Sequence, residues 1–198
     1  MDNKYIILDF DKTLYTRDSL IHFYLFCVSK NPLLLFFFPM QLLGAVLYAF
    51  GIISTKQFKN LYLLFLSFKS ESAIEESATL FWENQYPKHF NKELVNLIHR
   101  TEHQIVIITA SPILYLKPIV KKFKNVKLIG TILTQRNGIY FIEGENCKGQ
   151  QKVIEFKKIV NSNAEVIAAY SDSDSDKPIL HLAQKSYKVK GQSVVSYA

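Results

Sequence analysis

Two kinds of apolar pattern divide this chain. Residues 5–10, Tyr-Ile-Ile-Leu-Asp-Phe, make a short apolar run that meets acids at its end, the pattern of a strand buried on both faces of a parallel sheet. From Ser19 to about Arg100 the apolar positions follow a helical period instead. Within that block Asn31-Pro32 opens the longest apolar segment, because proline is well placed in a first helical turn. Ser72 with Glu75 reads as a capping box for a helix over 73–85, and Asn91 as the cap of a helix over 92–100.

Strands then return. The sequence predicts a strand at 104–110, a helix starting at Pro112 and running through 113–123, and a hairpin whose strands, 127–133 and 138–144, meet at Asn137-Gly138. An amphipathic helix at 149–160, a strand at 165–171 and a last helix at 177–184 precede short C-terminal strands. Strands separated by helices imply an α/β fold, a parallel sheet with helices on both faces. The all-helical block then reads as an insertion, with a core over 1–16 and 99–198 and a cap over 17–98.

Composition narrows the partners. The chain has 48% apolar and 21% charged residues, a folding composition, and a formal net charge of +7 that favours anionic ligands or surfaces. Nearly all of that charge is lysine; Arg17, Arg100 and Arg136 are the only arginines, which disfavours nucleic-acid recognition. The five histidines lack zinc-ligand spacing, and Cys27 and Cys147 are too few for a disulfide framework and suit a reducing compartment. The N-terminal apolar run carries acids and lacks the layout of a cleavable signal peptide.

Candidate chemistry collects just after the predicted core strands, where open α/β sheets place their sites. Asp9 and Asp11 follow the first strand; Thr109 and Ser111 follow the second. Lys148 and Lys152 open the helix at 149–160, and Asp172 and Asp176 follow the strand at 165–171. Carboxylates from two strand ends are hard oxygen donors of the kind Mg²⁺ prefers. Small hydroxyls at the head of a helix suit a phosphate.

In order and spacing these residues resemble the haloacid dehalogenase-like (HAD) phosphatases, with Asp-Phe-Asp-Lys-Thr at 9–13, Ile-Ile-Thr-Ala-Ser at 107–111, a lysine, and Tyr-Ser-Asp-Ser-Asp-Ser-Asp at 170–176. The resemblance implies a HAD-like Rossmannoid core with an all-α cap after the first strand. It implies that Asp9 is the nucleophile, that Asp11 is the general acid and base, and that Thr109 hydrogen-bonds the phosphoryl group. An acid at position 11 favours a phosphatase over relatives that lack it. The resemblance further implies Mg²⁺ on Asp9, Asp11 through its carbonyl, and Asp172, with Asp176 a second ligand through water or an orienting group. Two lysines compete for the third motif: a lysine directly before glycine selects Lys148, whereas Cys-x-Gly-x-x-Lys-Val, matched at 147–153, selects Lys152 and is preferred. Ser111 and Asp18 are candidate substrate contacts, Asp18 equally a helix cap.

The apolar stretch at 32–53 bears on the substrate. It carries no charge and would cover about 33 Å as a helix, enough for the ~30 Å core of a bilayer. A single crossing would separate Asp9 from the motifs that follow, and the neighbouring apolar runs at 19–28 and 61–68 are too short to cross back. Pro39 predicts a kink or a helical hairpin. Lys30, Lys56 and Lys59, with Tyr48 and Tyr62, are placed to meet lipid headgroups. With three apolar runs and too little protein to cover them, the expectation is a monotopic insertion at the cytoplasmic face of the inner membrane. Together with the 147–153 and 170–180 motifs, this cap resembles the phosphatidylglycerophosphatase C branch, which implies phosphatidylglycerol phosphate as substrate. The alternatives are a soluble phosphomonoester such as phosphoserine or a sugar phosphate, or a peripheral scaffold without turnover.

Overall fold

A computed structural model describes residues 3–161 and 163–197. Seven strands form one sheet: β1 (Lys4–Leu8), β2 (Gln104–Pro112), β3 (Val126–Arg136), β4 (Ile139–Glu143), β5 (Glu165–Ser171), β6 (Ala183–Lys190) and β7 (Ser193–Tyr197), in the order β4-β3-β2-β1-β5-β6-β7. Pairs β1–β2, β1–β5, β2–β3 and β5–β6 are parallel, and only the two edge pairs, β3–β4 and β6–β7, are antiparallel. Chain order reverses at β1, which lies between β2 and β5. That reversal opens a crevice at the carboxyl ends of the central strands.

Side chains along the central strands alternate between two apolar layers, as the period of a strand demands. Ile6, Leu8, Ile105 and Ile107 join one layer; Ile7, Val106, Ile108 and Ala169 join the other. The first is covered by α1 (Ser19–Lys30), α4 (Glu71–Gln85), α5 (Lys92–Arg100) and α6 (Ile113–Val120), and the second by α7 (Gln150–Ile159) and α8 (Lys177–Leu180). The helices between β1 and β2 share the first layer with the sheet. Trp82 of α4 donates its indole N–H to the Tyr115 carbonyl at 2.7 Å, and Phe23 of α1 stacks on the Tyr115 ring at 4.9 Å. Each such fully buried aromatic contributes about 1.5–3 kcal/mol.

Asn91 caps α5 as expected, accepting from the Leu94 N–H at 3.1 Å, and Asn137-Gly138 turns the β3–β4 hairpin with φ of 50° and 79°. Three expectations are corrected. Helix α4 begins earlier than read, at Glu71, so its cap is Ser70, which accepts from Ala73 N–H at 3.2 Å, and Ser72 lies in the first turn bonded to Ser70. Helix α8 ends at Leu180, because Ala183 and the residues after it pair in parallel with β5, with Tyr187 stacked on Tyr170 at 4.6 Å. The stretch at 32–53 forms no hairpin: a 3₁₀ turn over Pro32–Phe37 leads into α2 (Phe38–Ala49), and Pro39 falls in the first turn of α2, where its missing N–H leaves no hydrogen bond unmade.

Helix α2 lies against α3 (Thr55–Tyr62), and of its residues only Gln41 and Gly44 are buried. Gln41 donates to the Tyr62 carbonyl at 2.9 Å. Gly44 permits the approach, since a Cβ there would sit 2.8 Å from the Leu61 side chain. Much of the rest of this stretch is open: Leu33, Phe36 and Phe50 are 81%, 85% and 78% exposed, and Met40, Leu42, Leu43 and Val46 are exposed as well.

Candidate active site

The crevice at the end of β1 is a cleft of about 250 Å³, and all nine residues singled out as site candidates line it. Asp9 follows β1, its backbone N–H held by the Tyr170 carbonyl at 2.9 Å, so strand pairing aims the carboxylate into the cleft. The next turn needs a left-handed residue, and Lys12 supplies it with φ 57°. That turn returns Thr13 toward Asp9: the Thr13 hydroxyl donates to Asp9 Oδ2 at 3.3 Å and accepts the Asp172 N–H at 2.9 Å.

Of the two candidate lysines, Lys152 is the one bonded to Asp9. It projects from the first turn of α7, which begins after Gly149 in a left-handed conformation (φ 57°). Its ammonium, 2% exposed as a residue, donates to Asp9 Oδ1 at 2.6 Å and to Asp176 Oδ2 at 2.7 Å. Lys148 lines the same cleft from the loop before α7. Burial works against the Lys152 charge, but the Asp9 and Asp176 carboxylates outweigh it and hold the ammonium above its usual range. Burial raises Asp9 to about 7 against the pull of Lys152, with the nearby Asp176 and Asp11 charges adding to the rise.

Asp11 is held from two sides. The Ser19 N–H, at the start of α1, donates to Oδ1 at 2.6 Å, while Ser111 Oγ and Thr109 Oγ1 donate to Oδ2 at 2.6 and 3.4 Å. Burial raises the Asp11 carboxyl, and these hydrogen bonds oppose the rise. Asp18 caps α1, accepting from the Ile21 N–H at 3.1 Å, and lines the cleft.

Asp176, read as a ligand through water or an orienting group, sits behind Lys152. Its Oδ2 takes bonds from both Lys152 and Ser171, the latter at 2.7 Å, so the side chain orients Lys152. Asp9 and Asp172 remain as carboxylate donors lining the cleft. Among the described residues no three acidic, histidine or cysteine side chains form a ready cage. Mg²⁺ does not require one: it is commonly held by one or two carboxylates with water and substrate phosphate completing its shell. The donor set therefore fits Mg²⁺.

Several contributors escaped the sequence reading. Thr13 stood within the Asp9–Thr13 motif without a role. Ser19 and Tyr115, whose hydroxyls lie 2.8 Å apart, carry no local signal because they are 96 positions apart. Lys59, expected at lipid headgroups, is instead half-buried on the cleft wall, donating to the Ala110 carbonyl at 2.8 Å and to Asn146 Oδ1 at 2.9 Å. Lys56 likewise bonds the Gly144 carbonyl.

A family model for haloacid dehalogenase-like hydrolases matches residues 6–181. The chain belongs to this family. Protein CicA of Caulobacter vibrioides is 31% identical over 90 residues, 43% of this HAD chain and 40% of CicA, so the match takes in less than half of that relative. A solved protein of unknown function from Bordetella pertussis Tohama I superposes with a TM-score of 0.71 at 20% identity, covering 92% of this chain and 88% of the other. A phosphoserine phosphohydrolase-like protein from Francisella tularensis SCHU S4 gives 0.58 at 20% identity, covering 92% and 85%. Both structures share the HAD fold.

Proposed function

We propose that this HAD hydrolase is a Mg²⁺-dependent phosphomonoester phosphatase working through an aspartyl-phosphate. The observation that carries the reading is the Asp9 carboxylate, buried at a strand end, bonded to Lys152 at 2.6 Å, and sharing its cleft with a second acid, Asp11. A carboxylate oxygen of Asp9 attacks phosphorus as the bond to the ester oxygen breaks, and Asp11 delivers its proton to that leaving oxygen. Water then attacks the acyl phosphate, Asp11 takes the water's proton, and phosphate leaves with Asp9 restored. Thr109 and Ser111 keep Asp11 directed into the cleft, and Lys152 offsets the charge that Asp9 and the phosphoryl oxygens bring together. Mg²⁺, held by Asp9, Asp172 and the Asp11 carbonyl, would supply electrostatic neutralisation of the phosphate.

Two substrates suit this chemistry, each favoured by its own observation. The comparisons lend more support to a small soluble phosphomonoester of the phosphoserine kind, through the likeness to the Francisella protein. The surface of this chain supports a phosphate at a membrane, with phosphatidylglycerol phosphate as the candidate, because Leu33, Phe36 and Phe50 stand 81%, 85% and 78% exposed along one apolar stretch of the chain. Such a stretch suits monotopic seating in one leaflet, at the cytoplasmic side of the inner membrane. Asp9 precedes the apolar stretch and Lys152 follows it, yet they lie 2.6 Å apart, so a single crossing at 32–49 is incompatible with the site.

Phosphate release from phosphatidylglycerol phosphate, phosphatidic acid and phosphoserine, each with Mg²⁺ and with chelator, tests both levels. The lipid reading expects phosphatidylglycerol phosphate to be fastest, and faster release from phosphoserine would favour the soluble reading. Release that persists in chelator, or none from any ester, would contradict the phosphatase itself.

A further inference from the structure

Lys59 puts a cation from the helical block where the family's motifs have no part. Helix α3 turns one face to α2, with Phe58 stacked on Tyr48 at 5.1 Å, and another to the core. On the core side Asn60 Oδ1 accepts the Ile142 N–H at 2.9 Å, Lys56 bonds Gly144, and Lys59 reaches deepest.

The two groups that Lys59 bonds form a closed unit. The Thr131 hydroxyl of β3 also donates to the Ala110 carbonyl, at 2.7 Å, lies 3.1 Å from Asn146 Oδ1, and accepts the Cys147 N–H at 3.2 Å. Ala110 stands between Thr109 and Ser111, the residues that hold Asp11. Asn146 and Cys147 begin the segment that leads into α7 and Lys152. Strand β3 gives this unit little slack, because a Cβ on Gly130 would lie 2.8 Å from the Ser111 carbonyl. Burial lowers Lys59 to about 8.

We infer that Lys59 is a positioning residue for the phosphatase reaction, through which the helical block fixes the Ala110 carbonyl and Asn146 and so sets the geometry of Asp11 and Lys152. The role acts through other residues, and the catalytic groups touched by substrate remain Asp9, Asp11 and Lys152. Misplacing reacting groups by an ångström lowers turnover more than it weakens binding.

Steady-state hydrolysis of p-nitrophenyl phosphate with Mg²⁺ tests this with Lys59→Met, Thr131→Val, the double variant and Lys56→Met, each first checked for a folded melting profile. Lys59→Met is expected to lower kcat by about 10- to 100-fold with KM nearly unchanged. Thr131→Val should lower kcat in the same way, and the double variant should lose less than the product of the two single losses, as members of one unit do. Lys56→Met should stay near wild type. Should Lys59→Met not fold, Thr131→Val carries the test on its own, since it removes only a neutral hydroxyl. Wild-type kcat in a folded Lys59→Met or Thr131→Val protein would overturn the inference. So would a raised KM at unchanged kcat, which would place Lys59 on the substrate, or single losses that multiply.

Discussion

Lys152 is the residue on which the cleft's electrostatics turn, since one buried ammonium serves two buried carboxylates at 2.6 and 2.7 Å. Removing one partner of a buried ionic group leaves the others uncompensated, at about 3–5 kcal/mol. Lys152→Met is expected to lose stability of that order in urea denaturation and, where folded, to lower kcat by roughly 10²–10³-fold. Lys59 gives a pH signature of a different sign. Its folded pKa of about 8 lies below the unfolded value of 10.5, so between those values the unfolded chain binds more protons and stability rises with pH. The stability of wild type relative to Lys59→Met, followed by urea denaturation from pH 8 to 10.5, should therefore increase; a flat or falling difference would contradict the burial of that charge. At this scale the sequence was most informative where chemistry is local. Asp9 and Asp11 share one turn and could be read together, while Thr13 beside them showed its role only through its bonds to Asp9 and Asp172. Ser19, Tyr115 and Lys59 meet their partners only through tertiary packing, and a lysine beside an apolar run looks like any surface lysine until the backbone shows where it leads.

Among the elements, α2 and α3 do the least expected work. An amphipathic helix buries its apolar stripe, yet α2 buries only Gln41 and Gly44, a polar residue and one without a side chain. Its apolar side chains stay exposed, which is the observation behind the membrane proposal. Leu33→Ser with Phe36→Ser is expected to abolish co-sedimentation with anionic vesicles while leaving the melting temperature within a degree or two, because these side chains contact little within the fold. Vesicle binding that survives the change would remove this stretch from the membrane reading. The strands, the Asn91 cap and the Asn137-Gly138 turn were legible because local chemistry and tertiary structure agree there. Helix α8 was overread because Ala183 and Gln184 carry helix-forming side chains, and pairing with β5 overrode that preference. Ser72 with Glu75 imitated a capping box two residues inside the true cap at Ser70.

Over the whole molecule, the insertion after β1 and the sheet form one apolar layer that continues from Ile107 through Tyr115 to Trp82 and Phe23. The fold class was legible because strand and helix patterns alternate cleanly. This shared layer was not, since period alone cannot say against what a helix packs. The same arrangement brings three distant stretches of sequence to one carboxylate: Thr13 beside it, Lys152 from α7, and Asp176 behind Lys152. The central claim is that this carboxylate takes the phosphoryl group. The most direct measurement is rapid quench of an Asp11→Asn protein turning over a labelled aryl phosphate in Mg²⁺, followed by peptide mass analysis, because an aryl leaving oxygen needs little protonation while loss of the general base should still slow breakdown of the acyl phosphate. The expected result is a phosphoryl increment on the peptide containing Asp9, absent when Asp9→Asn is added. Label on another residue, or undiminished turnover in an Asp9→Asn protein, would contradict the account.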